Sequence, residues 1–162
     1  MNDTNQVEFG ACGGCAVIVK ALNLHLNEKE LAKQACGAIW NLGANDANKI
    51  KFRVCGACEV VMKAGNHHIN EKEVAENACG AIRNLALNDA NQIKFASCGG
   101  CEVVVKALNL HLNDKEVAQY ACGAIGILSW KYKSRLKELG AEQLIQRCTE
   151  NTFKKQALKY LS

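Results

Sequence analysis

NDANKIKFRVCGACEVVMKAGNHHINEKEVAENACGAIRNLAL, residues 45–87, is the stretch that decides the fold, because the chain carries it three times. The other copies occupy residues 2–44 and 88–130, so the period is 43 residues. The second and third copies are identical at 28 of 43 positions, and the first and second at 24. Periods of about 20–50 residues are typical of proteins in which each unit buries its apolar face against its neighbours. The repeat therefore predicts one continuous repeat domain over residues 1–162.

Composition limits the classes of protein and the location to be considered. The 162 residues are 49% hydrophobic, enough for a substantial core, and a net charge of +4 gives no strong attraction to nucleic acid or an acidic membrane. The sequence contains no apolar run of about 18 residues, and MNDTNQVEF lacks the pattern of a secretory signal. We expect a cytoplasmic protein, with a nuclear location as the alternative, and ten cysteines held mostly as thiols.

Each unit is predicted to begin with two helices joined by a sharp bend. In the second copy, Asn45 or Asp46 can cap a short helix that runs to Val54. Gly56 then permits a bend, because glycine tolerates positive φ. A second helix follows over residues 58–68, where Met, Lys and Ala extend a valine-rich run that could otherwise be a strand.

A longer third helix completes the unit. Asn70 is followed three positions later by Glu73, which is typical of a capping box, and the same spacing recurs at residues 27–30 and 113–116. Apolar residues follow at helical spacing on one side of the predicted helix: Val74, Ala78, Ile82 and Leu85. The opposite side carries Glu73, Glu76, Asn77, Gly80, Arg83 and Asn84. The pattern predicts one buried and one presented face.

The sequence of the unit resembles the armadillo family. The stretch Ala78-Cys79-Gly80-Ala81-Ile82-Arg83-Asn84-Leu85-Ala86 is similar to the family's A-L-x-A-L-x-N-L-A motif, and residues 88–93 and 98–101 follow as its next segments do. The resemblance covers all three copies and, more weakly, the tail. It implies an all-α, right-handed α-solenoid with three helices per repeat: repeat 1 at 2–44, repeat 2 at 45–87, repeat 3 at 88–130, and a C-terminal capping repeat at 131–162.

The two ends of the array differ. Residues 131–162 place Gly140-Ala141 at the bend and make the last helix more polar with Lys154, Lys155 and Lys159, as a terminal cap requires. The first copy has no such cap, and we expect Val7 and Phe9 to be poorly covered. Self-association, end to end or as a homodimer, through an uncapped N-terminal face is therefore one predicted behaviour.

The resemblance also implies a binding site. Third helices of armadillo proteins line a concave groove in which asparagines bond the backbone of an extended peptide, and Asn41 and Asn84 match that position, whereas the third copy has Ile127. Importin-α-like units place Trp four residues before the Asn; here those positions are Gly37, Gly80 and Gly123, which would let another backbone approach or leave a wider groove. The predicted groove residues are Asn41, Asn84, Trp40, Arg83, Lys33, Glu76 and Gln119.

Three CxxC motifs offer a competing interpretation. Single CxxC pairs occur in zinc sites and dithiol redox centres. The three pairs are Cys12 and Cys15, Cys55 and Cys58, and Cys98 and Cys101. Stacked helices lie about 8–10 Å apart, so two pairs from successive units should not converge on one metal. We expect packing residues here, no bound metal and no cofactor.

The leading hypothesis is a non-enzymatic protein–protein interaction module or scaffold that binds an extended peptide or partner helix along the groove. We expect a protein or peptide partner, and neither nucleic acid nor a membrane. A thiol redox sensor or metal-binding protein, and a self-associating repeat fragment, are the alternatives. No Gly-rich phosphate loop, HExxH or GxSxG motif points to catalysis.

Overall fold

The computed structural model of the protein describes residues 3–162, and over that range it is entirely helical, with eleven helices and no strand. The predicted all-α fold is confirmed. Asn2, where the first copy was predicted to begin, lies outside the described residues.

Helix bounds repeat with the 43-residue period. The copies at residues 2–44, 45–87 and 88–130 are called units 1, 2 and 3 below, and residues 131–162 the tail. Unit 1 forms α1 (Asp3–Ala11), α2 (Gly14–Leu24) and α3 (Lys29–Leu42). Unit 2 forms α4 (Asp46–Val54), α5 (Ala57–His67) and α6 (Lys72–Leu85). Unit 3 forms α7 (Asp89–Ser97), α8 (Gly100–Leu110) and most of α9 (Lys115–Glu138), and the tail ends in α10 (Ala141–Arg147) and α11 (Lys154–Leu161).

The short first helices start where an asparagine caps them. The Asn45 side chain accepts hydrogen bonds from the backbone N–H groups of Ala47 and Asn48, at 3.0 and 3.2 Å. Asn88 caps α7 in the same way. Each bend into the second helix then uses a glycine with positive φ, 84° at Gly56 and 89° at Gly99. Both local predictions are confirmed, because side-chain oxygens satisfy the free N–H groups and glycine alone bends without strain.

The expected capping asparagines of the third helices are wrong by one position. α6 begins at Lys72 with Glu71 as its capping residue, and no side-chain bond caps it. Glu71 instead pairs with Lys29 of unit 1, Nζ to Oε2 at 3.3 Å. In unit 3 the shorter Asp114 does cap α9, accepting from the N–H groups of Glu116 and Val117. The longer Glu71 side chain therefore loses the cap, whereas the contact between units is present in both cases, since Asp114 Oδ2 lies 3.8 Å from Lys72 Nζ.

The boundary between unit 3 and the tail contains no break in the helix. α9 continues past residue 130 and bends at Tyr132, whose φ of −123° and ψ of 30° are not helical. Units 1 and 2 have Gly43-Ala44-Asn45 and Ala86-Leu87-Asn88 at this point, whereas unit 3 has Ser129-Trp130-Lys131. Without glycine or a capping asparagine, the chain turns by a kink rather than by a loop.

Each unit supplies equivalent side chains to one continuous core. The first helices bury Phe52, Phe95 and, in the tail, Leu136, and the third helices bury Ile39, Ile82 and Ile125. α6 packs between α3 and α9, and α11 packs against α9. The third helices therefore lie side by side in one layer that runs the length of the chain.

Polar side chains tie each unit to the backbone of the unit before it. Asn48 Nδ2 donates to the Gln6 carbonyl at 2.8 Å, and its equivalent Asn91 donates to Lys49 at 3.1 Å. His68 Nε2 lies 2.9 Å from the Leu26 carbonyl oxygen, and His111 Nε2 lies 2.8 Å from that of Ile69. The periodic histidines and asparagines thus set how the units stack.

Among the described residues, no single helix is both long and apolar enough to cross a membrane. The segments Thr4–Ala11 and Gly14–Leu24 reach that length and hydropathy only together, and a bend of 69° separates them.

Candidate functional site

The candidate site is the outward surface of α3, α6, α9 and α11, called the third-helix surface below. Its predicted residues come from three helices: Lys33, Trp40 and Asn41 from α3, Glu76, Arg83 and Asn84 from α6, and Gln119 from α9. Because α6 packs between α3 and α9, the fold brings these helices together. The side chains differ in how far they are available to a partner.

Trp40 is engaged within the protein. Its indole lies over Gly80 of the next unit, where an added Cβ would stand 2.5 Å from Trp40 Cδ2. The same ring meets Tyr120 of α9, with ring centroids 4.3 Å apart and an angle of 64° between the planes. Trp40 therefore reaches from unit 1 across unit 2 to unit 3.

Arg83 repeats this arrangement one unit further along. An added Cβ at Gly123 would lie 2.7 Å from Arg83 Cδ, and the Arg83 guanidinium lies 4.3 Å from the centre of the Phe153 ring in the tail. Burial lowers the pKa of Arg83, while Tyr120 raises it. The guanidinium is held by a cation–π contact and is only partly exposed.

The expectation that the glycines would leave a wider groove is wrong for Gly80 and Gly123. Each is filled by a side chain from the preceding unit, Trp40 in one case and Arg83 in the other. Gly37 in unit 1 has a looser neighbour, with an added Cβ 3.4 Å from Asn77 Nδ2. The glycines make room for contacts between units, since any larger residue would collide with an aromatic ring or an arginine stem.

The two asparagines predicted to bond a peptide backbone, Asn41 and Asn84, lie in different surroundings. Asn84 Nδ2 donates to the Trp40 carbonyl at 2.9 Å, Asn84 Oδ1 accepts from Arg83 Nη1 at 2.9 Å, and the residue is only 9% exposed. Asn41 is exposed, and within residues 3–162 its side-chain amide has no hydrogen-bond partner. Of the two, Asn41 is the one whose amide is free to bond a peptide.

The remaining predicted residues line the surface with mixed polarity. Lys33 Nζ lies 3.8 Å from Glu30 Oε2, and Gln119 Oε1 accepts from Thr152 Oγ1 at 3.2 Å. Burial raises the pKa of Glu76, and the neighbouring carboxylates of unit 3, Glu116 first and then Asp114, raise it further. The centre of the surface is therefore crowded with carboxylates, and Lys72, whose Nζ lies 3.8 Å from Asp114 Oδ2, offsets part of their repulsion on Glu76.

A cavity of about 220 Å³ lies at the C-terminal end of the third-helix surface. Its walls include Arg83, Gly126, Trp130, Phe153 and Tyr160. Trp130 and Tyr160 meet edge to face, with ring centroids 6.0 Å apart, and Trp130 is about half exposed. The sequence prediction missed both aromatics. Trp130 could have been found, because units 1 and 2 place the small or aliphatic residues Ala44 and Leu87 at its position.

Several buried cysteines lie in surroundings that suppress thiol chemistry. Burial raises the pKa of Cys36, Cys58 and Cys79 to about 12 each, and that of Cys101 to about 11. A thiol with a raised pKa is a poor nucleophile at neutral pH, because the thiolate reacts. Within residues 3–162, no three His, Cys, Asp or Glu side chains come close enough to share a metal ion.

Two pairings between cysteines were not anticipated. The second and third CxxC motifs approach each other across units, since Cys98 Sγ lies 4.0 Å from the Cys58 carbonyl oxygen. Burial raises the pKa of Cys15 and of Cys58 most, and Cys55 and Cys98, respectively, raise them further. Cys122 and Cys148 bury their sulfurs 3.8 Å apart, and Asn151 Nδ2 lies within 3.8 Å of both. One cysteine from each of two motifs can thus approach, although a tetrahedral set does not form.

Comparison with known proteins gives the fold and little more. No family model matches the chain. No curated protein matches it either. A crystal structure of an engineered protein, a target of the Northeast Structural Genomics Consortium, superposes with a TM-score of 0.83 at 24% identity. The match covers 99% of this chain and 67% of that chain. This likeness shows that the helical arrangement is shared.

Proposed function

We propose that the protein is an armadillo-like α-solenoid that acts as a non-enzymatic interaction module, with an extended peptide or a partner helix along its third-helix surface. The proposal rests on one observation: α3, α6, α9 and α11 lie side by side and carry different outward residues in each unit. A binding surface made in this way needs variable side chains on a constant framework. Lys33, Glu76 and Gln119 occupy equivalent, partly exposed positions and differ completely.

Asn41 is the residue best placed to hold a peptide backbone. An asparagine amide offers one acceptor and two donor hydrogens, which match the N–H and C=O groups of an extended chain. Because Asn41 is exposed and its side chain unengaged, binding would cost no internal hydrogen bond. Asn84 would have to give up its bond to Trp40 or Arg83.

The charge of the surface favours a basic partner at its centre. Glu73 and Glu76 lie on α6 and Glu116 on α9. Burial raises the pKa of Glu76 most, and repulsion from Glu116, Asp114 and Glu73 raises it further. A lysine or arginine side chain placed between these carboxylates would relieve that repulsion. The proposed partner is therefore a peptide with basic residues that lie near unit 2.

The test is a selection from a displayed library of random octapeptides, followed by affinity measurement on the enriched sequences. Asn41→Ala should weaken binding about fivefold to tenfold, since one hydrogen bond is worth about 1 kcal/mol. Asn23→Ala on α2 is the matched control, because Asn23 is also exposed but lies outside the third-helix surface. Enrichment of sequences without basic residues, or equal loss of affinity in both variants, would contradict the proposal.

A further inference from the structure

Unit 1 exposes a face that units 2 and 3 bury. Val17 is 67% exposed, whereas its equivalents Val60 and Val103 are 3% and 2% exposed. Phe9 is 44% exposed, and its equivalents Phe52 and Phe95 are fully buried. Ile18 and Leu31 are partly exposed, although the matching residues of units 2 and 3 are buried. These four residues of unit 1, Phe9, Val17, Ile18 and Leu31, are called the first-unit face below.

The exposure does not come from the composition of the helices. Val7 is 45% exposed, and its equivalents Ile50 and Ile93 are just as exposed, at 48% and 54%. Positions that point away from the neighbouring unit therefore behave alike in all three units. Only those that face the preceding unit differ, because within residues 3–162 nothing packs over the first-unit face.

Polar groups on the same side of unit 1 lack the acceptors that their equivalents use. His25 is exposed, while His68 and His111 bond the backbone carbonyls of Leu26 and Ile69 in the preceding units. Asn5 and Asn41 are exposed too, whereas the equivalent amides of Asn48 and Asn84 donate to Gln6 and Trp40. His25, Asn5 and Asn41 are therefore placed to bond the backbone carbonyls of a preceding unit, and residues 3–162 contain no such unit.

We propose that the first-unit face docks one further helical unit of the same type. The partner is specified by chemistry: an apolar helical edge that carries free backbone carbonyls at the places where unit 1 offers those of Gln6, Leu26 and Trp40 to unit 2. Such an edge would bury Val17 and Leu31 and accept from His25 and Asn41. Docking shares Asn41 with the proposed peptide binding, so the two are tested at different residues, docking at Val17 on α2 and peptide binding at Asn41 on α3.

A second copy of this chain fits the face less well. Its outer C-terminal helix exposes Lys155, Gln156 and Lys159, so head-to-tail stacking would place charge against Val17 and Leu31. Symmetric pairing of two first-unit faces would cover the apolar residues. It would supply none of the required carbonyls, because those of Gln6, Leu26 and Trp40 lie on the opposite edge and already bond unit 2.

The test fuses a copy of residues 45–87 ahead of the complete chain and compares the fused and original proteins. Val17→Asp should change the equilibrium constant for unfolding by less than about twofold in the original chain, where Val17 is exposed. In the fused chain the same change should raise the equilibrium constant for unfolding by about tenfold or more, because it buries an unpaired carboxylate. Val54→Asp is the matched control, since Val54 is 74% exposed and lies outside the face.

Three results would overturn the proposal. Equal effects of Val17→Asp in the two proteins would mean that the added unit does not dock. Equal effects of Val17→Asp and Val54→Asp in the fused chain would mean that it docks elsewhere. Sedimentation of the original chain over a concentration series gives the third: dimers that Val17→Asp dissociates would make a second copy the occupant.

Discussion

The indole of Trp40 lies on Gly80 of the following unit, so closely that a methyl group at Gly80 would stand 2.5 Å from the ring. Gly80 is in the middle of α6, where glycine costs about 1 kcal/mol relative to alanine. Packing offsets this cost, because the missing side chain at Gly80 lets the Trp40 ring reach Tyr120 in unit 3. At this position, packing between units outweighs helix propensity.

Gly80→Ala should therefore destabilise the protein, although alanine is the better helix former. Overpacking costs about 1–3 kcal/mol, which exceeds the gain of about 1 kcal/mol from helix propensity. Gly37→Ala is the matched control, since an added Cβ there meets Asn77 at an ordinary 3.4 Å. Denaturant unfolding should show Gly37→Ala as neutral or stabilising, and a stabilised Gly80→Ala protein would refute the packing argument.

Stability should fall as the pH rises above about 9. The folded-state pKa values of Cys36, Cys58 and Cys79 are raised to about 12 by burial, above the ordinary thiol value near 8.5. A group with a raised folded pKa contributes stability that is complete below the unfolded pKa and is lost as the pH climbs toward the folded one. Each fully buried thiol adds up to about 1.4 kcal/mol of loss per pH unit in that window.

Denaturant unfolding from pH 8 to 10.5 measures this dependence. Cys36→Ala should reduce the slope of unfolding free energy against pH, because one buried titrating group is gone. Cys12→Ala, at an exposed position, should leave the slope unchanged. Parallel curves for all three proteins would show that the buried thiols do not titrate as expected.

The carboxylate crowding at Glu76 gives a further expectation. Burial and nearby carboxylates raise its pKa, so the charged form disfavours the folded state. Glu76→Gln should therefore stabilise the protein slightly at pH 7, by a few tenths of a kcal/mol because the group is largely solvent-screened. The gain should vanish as the pH falls below about 4, where both proteins are uncharged at this position. Glu8→Gln, on exposed α1, should show no such gain at pH 7 in thermal unfolding.

Local sequence signals predicted most of the fold correctly. The asparagine caps and the positive-φ glycines depend on one or two residues and their immediate backbone, so a single unit sufficed to place them. The asparagine caps predicted for the third helices failed because each helix begins one residue later, after Glu28, Glu71 or Asp114. Of these three, only the shorter Asp114 side chain accepts from the free N–H groups, a difference of one methylene that periodicity alone does not reveal.

The candidate site was less predictable, for the same physical reason. The sequence placed Asn41 and Asn84 at equivalent positions, but their neighbours differ, since Asn84 has a preceding unit to bond and Asn41 has none within residues 3–162. Likewise, Gly80 could be recognised as a gap, while what fills it depends on Trp40 from 40 residues earlier. Equivalent positions in a repeat make the same contacts only where the same neighbours surround them.

That dependence on neighbours can be measured at another equivalent pair. Asn91 is fully buried and its amide donates to the carbonyls of Lys49 and Leu85, at 3.1 and 3.0 Å. Asn91→Ala would remove both hydrogen bonds at a fully buried position, although the Leu85 carbonyl keeps the Asn88 N–H at 3.1 Å, and should cost about 1–3 kcal/mol in denaturant unfolding. Asn5 occupies the same position in unit 1 but is exposed, so Asn5→Ala should stay within about 0.5 kcal/mol. Similar costs for the two substitutions would mean that the asparagine stabilises its own helix, and that it contributes nothing to the stacking of the units.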